Sequence, residues 1–92
     1  MIPEGRVYRV ALRFSSKVAG NVAEVLWHKT QQIEFLKDGS MIFRVTVDGL
    51  AEISWWILGY GAEVGVIAPA LLRKRMAKTA ERMVDMYKRK LK

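Results

Sequence analysis

The sequence predicts an α+β domain in the order strand, helix, strand, strand, helix, strand, followed by one long helix. Three observations carry that prediction. Val7–Phe14 alternates with period 2, which marks a half-buried strand. Asp38-Gly39 separates two further β-rich runs at the strongest short hairpin signal in the chain. Asp48–Pro69 then reads as a turn, an apolar helix, a glycine break, a buried strand and a proline stop. That stretch holds two of the three tryptophans and four of the seven glycines, so the rest of the chain must cover it.

Each element has a local reason. In the first strand Tyr8, Val10, Leu12 and Phe14 share one face, and Val7, Arg9, Ala11 and Arg13 the other. Ser15 or Ser16 offers an oxygen to cap a helix over Lys17–Trp27, where Val18, Val22, Val25 and Leu26 recur at helical spacing. Gly20 and Asn21 weaken that helix. Thr30–Lys37 is the second strand, with Ile33 and Phe35 on one face. Met41–Val47 is the third, with Met41, Phe43, Val45 and Val47 inward and Ile42, Arg44 and Thr46 outward. Leu50–Leu58 is a helix presenting Leu50, Ile53, Trp56 and Ile57, and Gly59 and Gly61 end it. Val64–Ala68 is the fourth strand, and Pro69 suits the first turn of the last helix. That helix runs from about Ala70 to near Leu91 with an apolar stripe of Leu72, Met76, Ala80, Met83, Tyr87 and Leu91. Two right-handed strand–helix–strand units imply a ferredoxin-like split βαββαβ sandwich, both helices on one face of a four-stranded antiparallel sheet. Residues 7–69 form this core and 70–92 the basic amphipathic helix. Residues 1–6, with Pro3 and Gly5, read as a linker remnant.

Composition narrows the function. Ninety-two residues make one domain of ordinary globular composition, with 51% apolar and 27% charged residues. The chain has no cysteine, so thiolate metal sites and cysteine nucleophiles are excluded, and a reducing cytoplasm is the expected location. No run of 18 apolar residues is present to span a membrane as a helix. Residues 1–70 carry seven basic and seven acidic groups, whereas residues 71–92 carry nine basic groups against Glu81 and Asp85. The whole excess of +7 therefore lies on the last helix, a local field that attracts polyanions or an acidic surface.

Five pieces in order carry a family resemblance: ALRFSSKVAGNVAEVLWH, TQQIEFLKDGSMIFRVTVDGL, WWILGYGAEVGVIAP, the helix start ALLRKRM and the long basic tail. Together, from about Tyr8 to Tyr87, they resemble the C-terminal extension (WCX) domain that follows the WYL domain in bacterial helix-turn-helix transcriptional regulators. The chain carries neither a helix-turn-helix pattern nor a Trp-Tyr-Leu motif, so the family's DNA-reading domain and main effector domain are missing from it. The resemblance implies a non-enzymatic regulatory domain that pairs subunits and helps sense a signal. It also implies upstream WYL and helix-turn-helix domains in the parent chain. The Pro/Gly-containing start fits excision from such a chain.

Candidate residues fall into three groups, and no catalytic, cofactor or metal-ligating set is among them. Arg9, Arg13 and Arg44 share the outer sheet face and suit a phosphate or carboxylate ligand; a solvated sheet face, or pairing with Glu34, is the plain alternative. Arg73, Lys74, Arg75, Lys78 and Arg82 suit nucleic-acid phosphates. Met83, Tyr87 and Leu91 extend the last helix's stripe past the domain edge and suit a homodimer contact. His28, the one histidine, has Glu24 four residues earlier, yet no nucleophile or ligand set accompanies it. Trp27 and Trp56 are expected near the core and Trp55 partly exposed. Two other function classes stand beside the regulatory domain. One is a free-standing nucleic-acid-binding module using the basic helix, the other a ferredoxin-like sensor of a small ligand.

Overall fold

The computed structural model describes residues 6–88. Its strands are β1 (Val7–Phe14), β2 (Gln32–Phe35), β3 (Met41–Asp48) and β4 (Val64–Ala68); its helices are α1 (Ser16–Ala23), α2 (Ala51–Leu58) and α3 (Ala70–Lys88). The sheet order is β2-β3-β1-β4 with every neighbour antiparallel. This is the split βαββαβ arrangement that the element order predicts. Each strand–helix–strand unit leaves a gap that a strand of the other unit fills. The linker remnant and Leu91 fall largely or wholly outside the described residues.

One face of the sheet builds the core. Val10, Leu12 and Phe14 of β1 and Met41, Phe43, Val45 and Val47 of β3 are buried with Ala19 and Val22 of α1 and Ile53 and Ile57 of α2. Register places Leu12 opposite Phe43 and Val10 opposite Val45, so period 2 delivers the apolar residues of both central strands to one side. Phe14, Phe43, Trp56 and Tyr60 interlock by edge and tilted contacts at 5.2–6.0 Å between ring centres. Leu72 of α3 is also fully buried in this core.

The structure corrects several expectations. α1 stops at Ala23, short of Trp27, and Leu26 is 75% exposed instead of belonging to the core. The cause lies beyond the helix. The Gln31 side chain accepts from the Trp27 and His28 N–H groups through Oε1 and donates to the Val25 carbonyl through Nε2. These bonds turn the chain and lay Trp27 against Trp56, stacked at 4.8 Å. Ser15 precedes α1 but makes no side-chain cap; its hydroxyl donates to the Glu63 carboxylate, and its N–H to the Glu63 carbonyl, tying α1 to the start of β4. β2 is shorter than expected, and Phe35 at its edge is 56% exposed.

The hairpin loop is Lys37-Asp38-Gly39. Gly39 donates to the Leu36 carbonyl and sits at φ +87°, so the loop is a type I turn followed by a left-handed glycine. α2 ends at Gly59 in ordinary helical geometry, and Gly61 at φ +57° makes the reversal. Ile42, on the outer face, is buried rather than exposed. Its cross-strand partners are Arg13 and Glu34, whose long stems suit covering an apolar neighbour.

Candidate functional site

α3 leaves the domain partway along its length. Leu72 is buried and Met76 partly so, but every residue from Ala80 to Lys88 is exposed. The helix is 19 residues long, about 28 Å at 1.5 Å per residue, and β4 beneath it is 5 residues long. The exposed half is not polar all round: Met83, Val84, Met86 and Tyr87, the last 81% exposed, stand on it.

Two grooves flank this half. One is about 700 Å³, bounded by Ile57 and Leu58 of α2, Val64 and Val66 of β4, and Met76, Ala80, Met83, Val84 and Tyr87 of α3. Its lining is almost wholly apolar, with Arg73 and Lys88 as its charged members. The other, about 450 Å³, lies between Ala51, Trp55 and Leu58 of α2 and Thr79, Arg82, Met83 and Met86 of α3. Trp55 is 76% exposed, as expected, but it is not a lone surface aromatic. It extends the apolar ground of α3 sideways, and sequence spacing on α3 alone gives no sign of that.

The expected dimer residues Met83 and Tyr87 therefore both lie on the exposed apolar surface. The expected nucleic-acid residues all stand on α3, where Lys74, Lys78 and Arg82 follow one another at four-residue steps. Arg73 borders the first groove, and Arg75 and Arg82 border the second; Lys74 and Lys78 line neither. All five are exposed.

The outer-face arginines also separate. Arg13 donates to the Asp38 carboxylate at 3.0 Å and to the Ser40 hydroxyl at 3.2 Å. Asp38 accepts from Ser40 as well, through both its hydroxyl and its backbone N–H, and these bonds, then Arg13, hold its carboxyl below the usual value. Arg13 is thus part of the hairpin turn. Arg44 donates to Glu34 at 3.1 Å. Arg9 makes no ion pair among the described residues. Arg9 and Arg44 share a hollow of about 440 Å³ with Gln32, Thr46, Ala11 and Ala68, and Arg13 is not in it.

His28 has a structural setting. Its Nδ1 accepts from the Thr30 N–H at 3.1 Å and lies 2.8 Å from the Thr30 hydroxyl. That hydroxyl also accepts from the Thr46 N–H and lies 3.1 Å from the Thr46 carbonyl, extending the β3 edge. With α1 ending at Ala23, Glu24 no longer shares a helix face with His28 and is not among its partners. No group of three His, Asp or Glu residues able to hold a metal occurs among the described residues. No described helix is long and apolar enough to cross a membrane.

A family model described as the WCX domain matches residues 6–84, from the start of β1 into the exposed half of α3. No curated protein matches the chain at a significant level.

Proposed function

This chain belongs to the WCX domain family, and on that premise we propose that it is a non-enzymatic regulatory domain of a WYL-type transcriptional regulator, whose α3 pairs two subunits. The observation that supports pairing is the uncovered apolar surface of Met83, Val84, Met86, Tyr87 and Trp55. A contiguous patch of this kind marks an interface. A second copy suits it because closed twofold pairing is the commonest assembly of like chains. Lys74 and Lys78, which line neither groove, stay in solvent when the grooves are filled, whereas Arg73, Arg75, Arg82 and Lys88 border the grooves and would lie at the contact. Such pairing would set the spacing of upstream DNA-reading domains, and a signal that alters it would alter operator engagement.

Sedimentation equilibrium at micromolar concentration tests the proposal. The chain is expected at twice its 10.5 kDa mass. Met83→Glu combined with Tyr87→Glu is expected to return the monomer, because each places a charge in the contact. A monomer for the unaltered chain across that range refutes pairing by this domain and leaves the surface to the parent chain's other domains.

The basic helix supports a second reading. The net positive charge of the chain is concentrated on α3, and Arg73, Lys74, Arg75, Lys78 and Arg82 are all exposed, so direct contact with nucleic-acid phosphates is sterically open.

A further inference from the structure

We propose that the outer sheet face carries a site for a small phosphate-bearing ligand, held by Arg9 and Arg44. The sheet's other face is filled by the core, and α1 and α2 pack there. On the outer face Arg9 stands opposite Thr46, and Arg44 opposite Ala11, so the two guanidinium groups belong to diagonal neighbours on adjacent strands. Diagonal positions are roughly 7–8 Å apart, within reach of long side chains. Two like charges so placed repel each other. Arg44 is partly compensated by one bond to Glu34, which leaves most of its donors unused. Arg9 has no ion pair among the described residues; Asp48, the next outward carboxylate on β3, does not reach it. Among the described residues, Arg9 is thus left without an ion pair on this face.

The ground between the arginines is shaped for a ligand. Ala11 of β1 and Ala68 of β4 pair directly, next to a register shift in β4, and form a floor of methyl groups. Larger side chains there would fill the hollow. Gln32 stands opposite Arg44 on the third strand, and its amide makes no hydrogen bond among the described residues. Thr46 is half-buried with its hydroxyl likewise uncommitted. Donor-bearing residues of β1, β2 and β3 therefore border one hollow. One guanidinium fork satisfies a planar carboxylate, whereas donors on three strands suit the several oxygens of a tetrahedral phosphate. A hollow of about 440 Å³ matches a small molecule. Arg13 is excluded, because Asp38 and Ser40 already occupy it.

This site does not rest on the pairing of α3, and its test reads a different face. Inorganic phosphate is titrated into the isotope-labelled chain at fixed ionic strength, and amide shifts are followed by NMR. Saturable shifts centred on Arg9, Ala11, Gln32 and Thr46 are expected. Arg9→Gln and Arg44→Gln are each expected to weaken binding about tenfold or more, as loss of a charged hydrogen bond does. Arg13→Gln, with one charge removed from the same face, is expected to leave it unchanged. Arg9→Lys, which keeps the charge and the fold but loses the fork, is expected to fall between. Succinate at equal ionic strength is expected to bind more weakly. Shifts that fail to saturate, that centre on the basic residues of α3, or that survive Arg9→Gln would overturn the site; succinate matching phosphate would overturn its assignment to phosphate.

Discussion

Phe43→Ala tests the register on which both faces of the sheet depend. Phe43 is fully buried, sits on the central strand β3, and pairs across to Leu12 and Ile33. Its ring meets Phe14 edge-on at 6.0 Å and Trp56 at 5.3 Å. Core phenylalanine truncation costs about 3–5 kcal/mol, and the two aromatic contacts put this position toward the upper end. A domain of 92 residues has roughly 5–14 kcal/mol to lose. At roughly 4–8 °C per kcal/mol for this size, the midpoint should fall by about 12–40 °C. Phe35→Ala supplies the contrast. Phe35 is the same residue type on the same face, two positions past Ile33, but it lies on edge strand β2 and is half exposed. Its truncation should cost about 1 kcal/mol or less. Thermal melts followed by circular dichroism, at one protein concentration so that any subunit pairing contributes equally, measure both. Equal shifts for the two variants, or a Phe43→Ala midpoint within a few degrees of the parent, would refute the register and with it the placement of Arg9 and Arg44.

Gln31→Ala should leave the N–H groups of Trp27 and His28 without their acceptor and loosen the turn after α1. A red shift of tryptophan emission as Trp27 leaves Trp56, with little change in helix content, checks this. Asp38→Asn should destabilise the hairpin near neutral pH, and the difference from the parent should vanish in acid. The sign follows from the lowered pKa of Asp38: the carboxylate's contribution is complete above its ordinary value near 3.8 and is lost as pH falls through the folded value. Urea unfolding at several pH values reads it. Changing Lys74, Arg75, Lys78 and Arg82 to glutamine should abolish any sequence-indifferent DNA or RNA binding, and the parent's affinity should fall steeply with salt. Salt-insensitive binding retained by that variant would remove the basic helix from the interface.

The strands and their faces were legible in the sequence because strand faces are set by a local period of two. Tyr8, Val10, Leu12, Phe43 and Val45 all lie where alternation places them. The glycine of the hairpin, the exposure of Trp55 and the basic character of α3 were legible for similar local reasons. Their determinants lie within a few residues of each other. The end of α1 was not, because it is decided by the Gln31 side chain closing back on three backbone groups, which no periodicity encodes. Periodicity therefore carried Val25 and Leu26 into the core when the structure leaves both exposed.

The candidate site divides along the same line. Sequence alone put Arg9, Arg13 and Arg44 on one face and the positive charge on one helix. Tertiary structure decided which of those arginines is committed: Asp38 lies 25 positions from Arg13, and only the pairing of β1 with β3 brings the hairpin turn to it. It also decided that Trp55 joins the apolar ground of α3, since α2 and α3 meet through packing and not through chain neighbourhood. A side chain's face follows from its own few neighbours. Its partners follow from how distant segments are brought together.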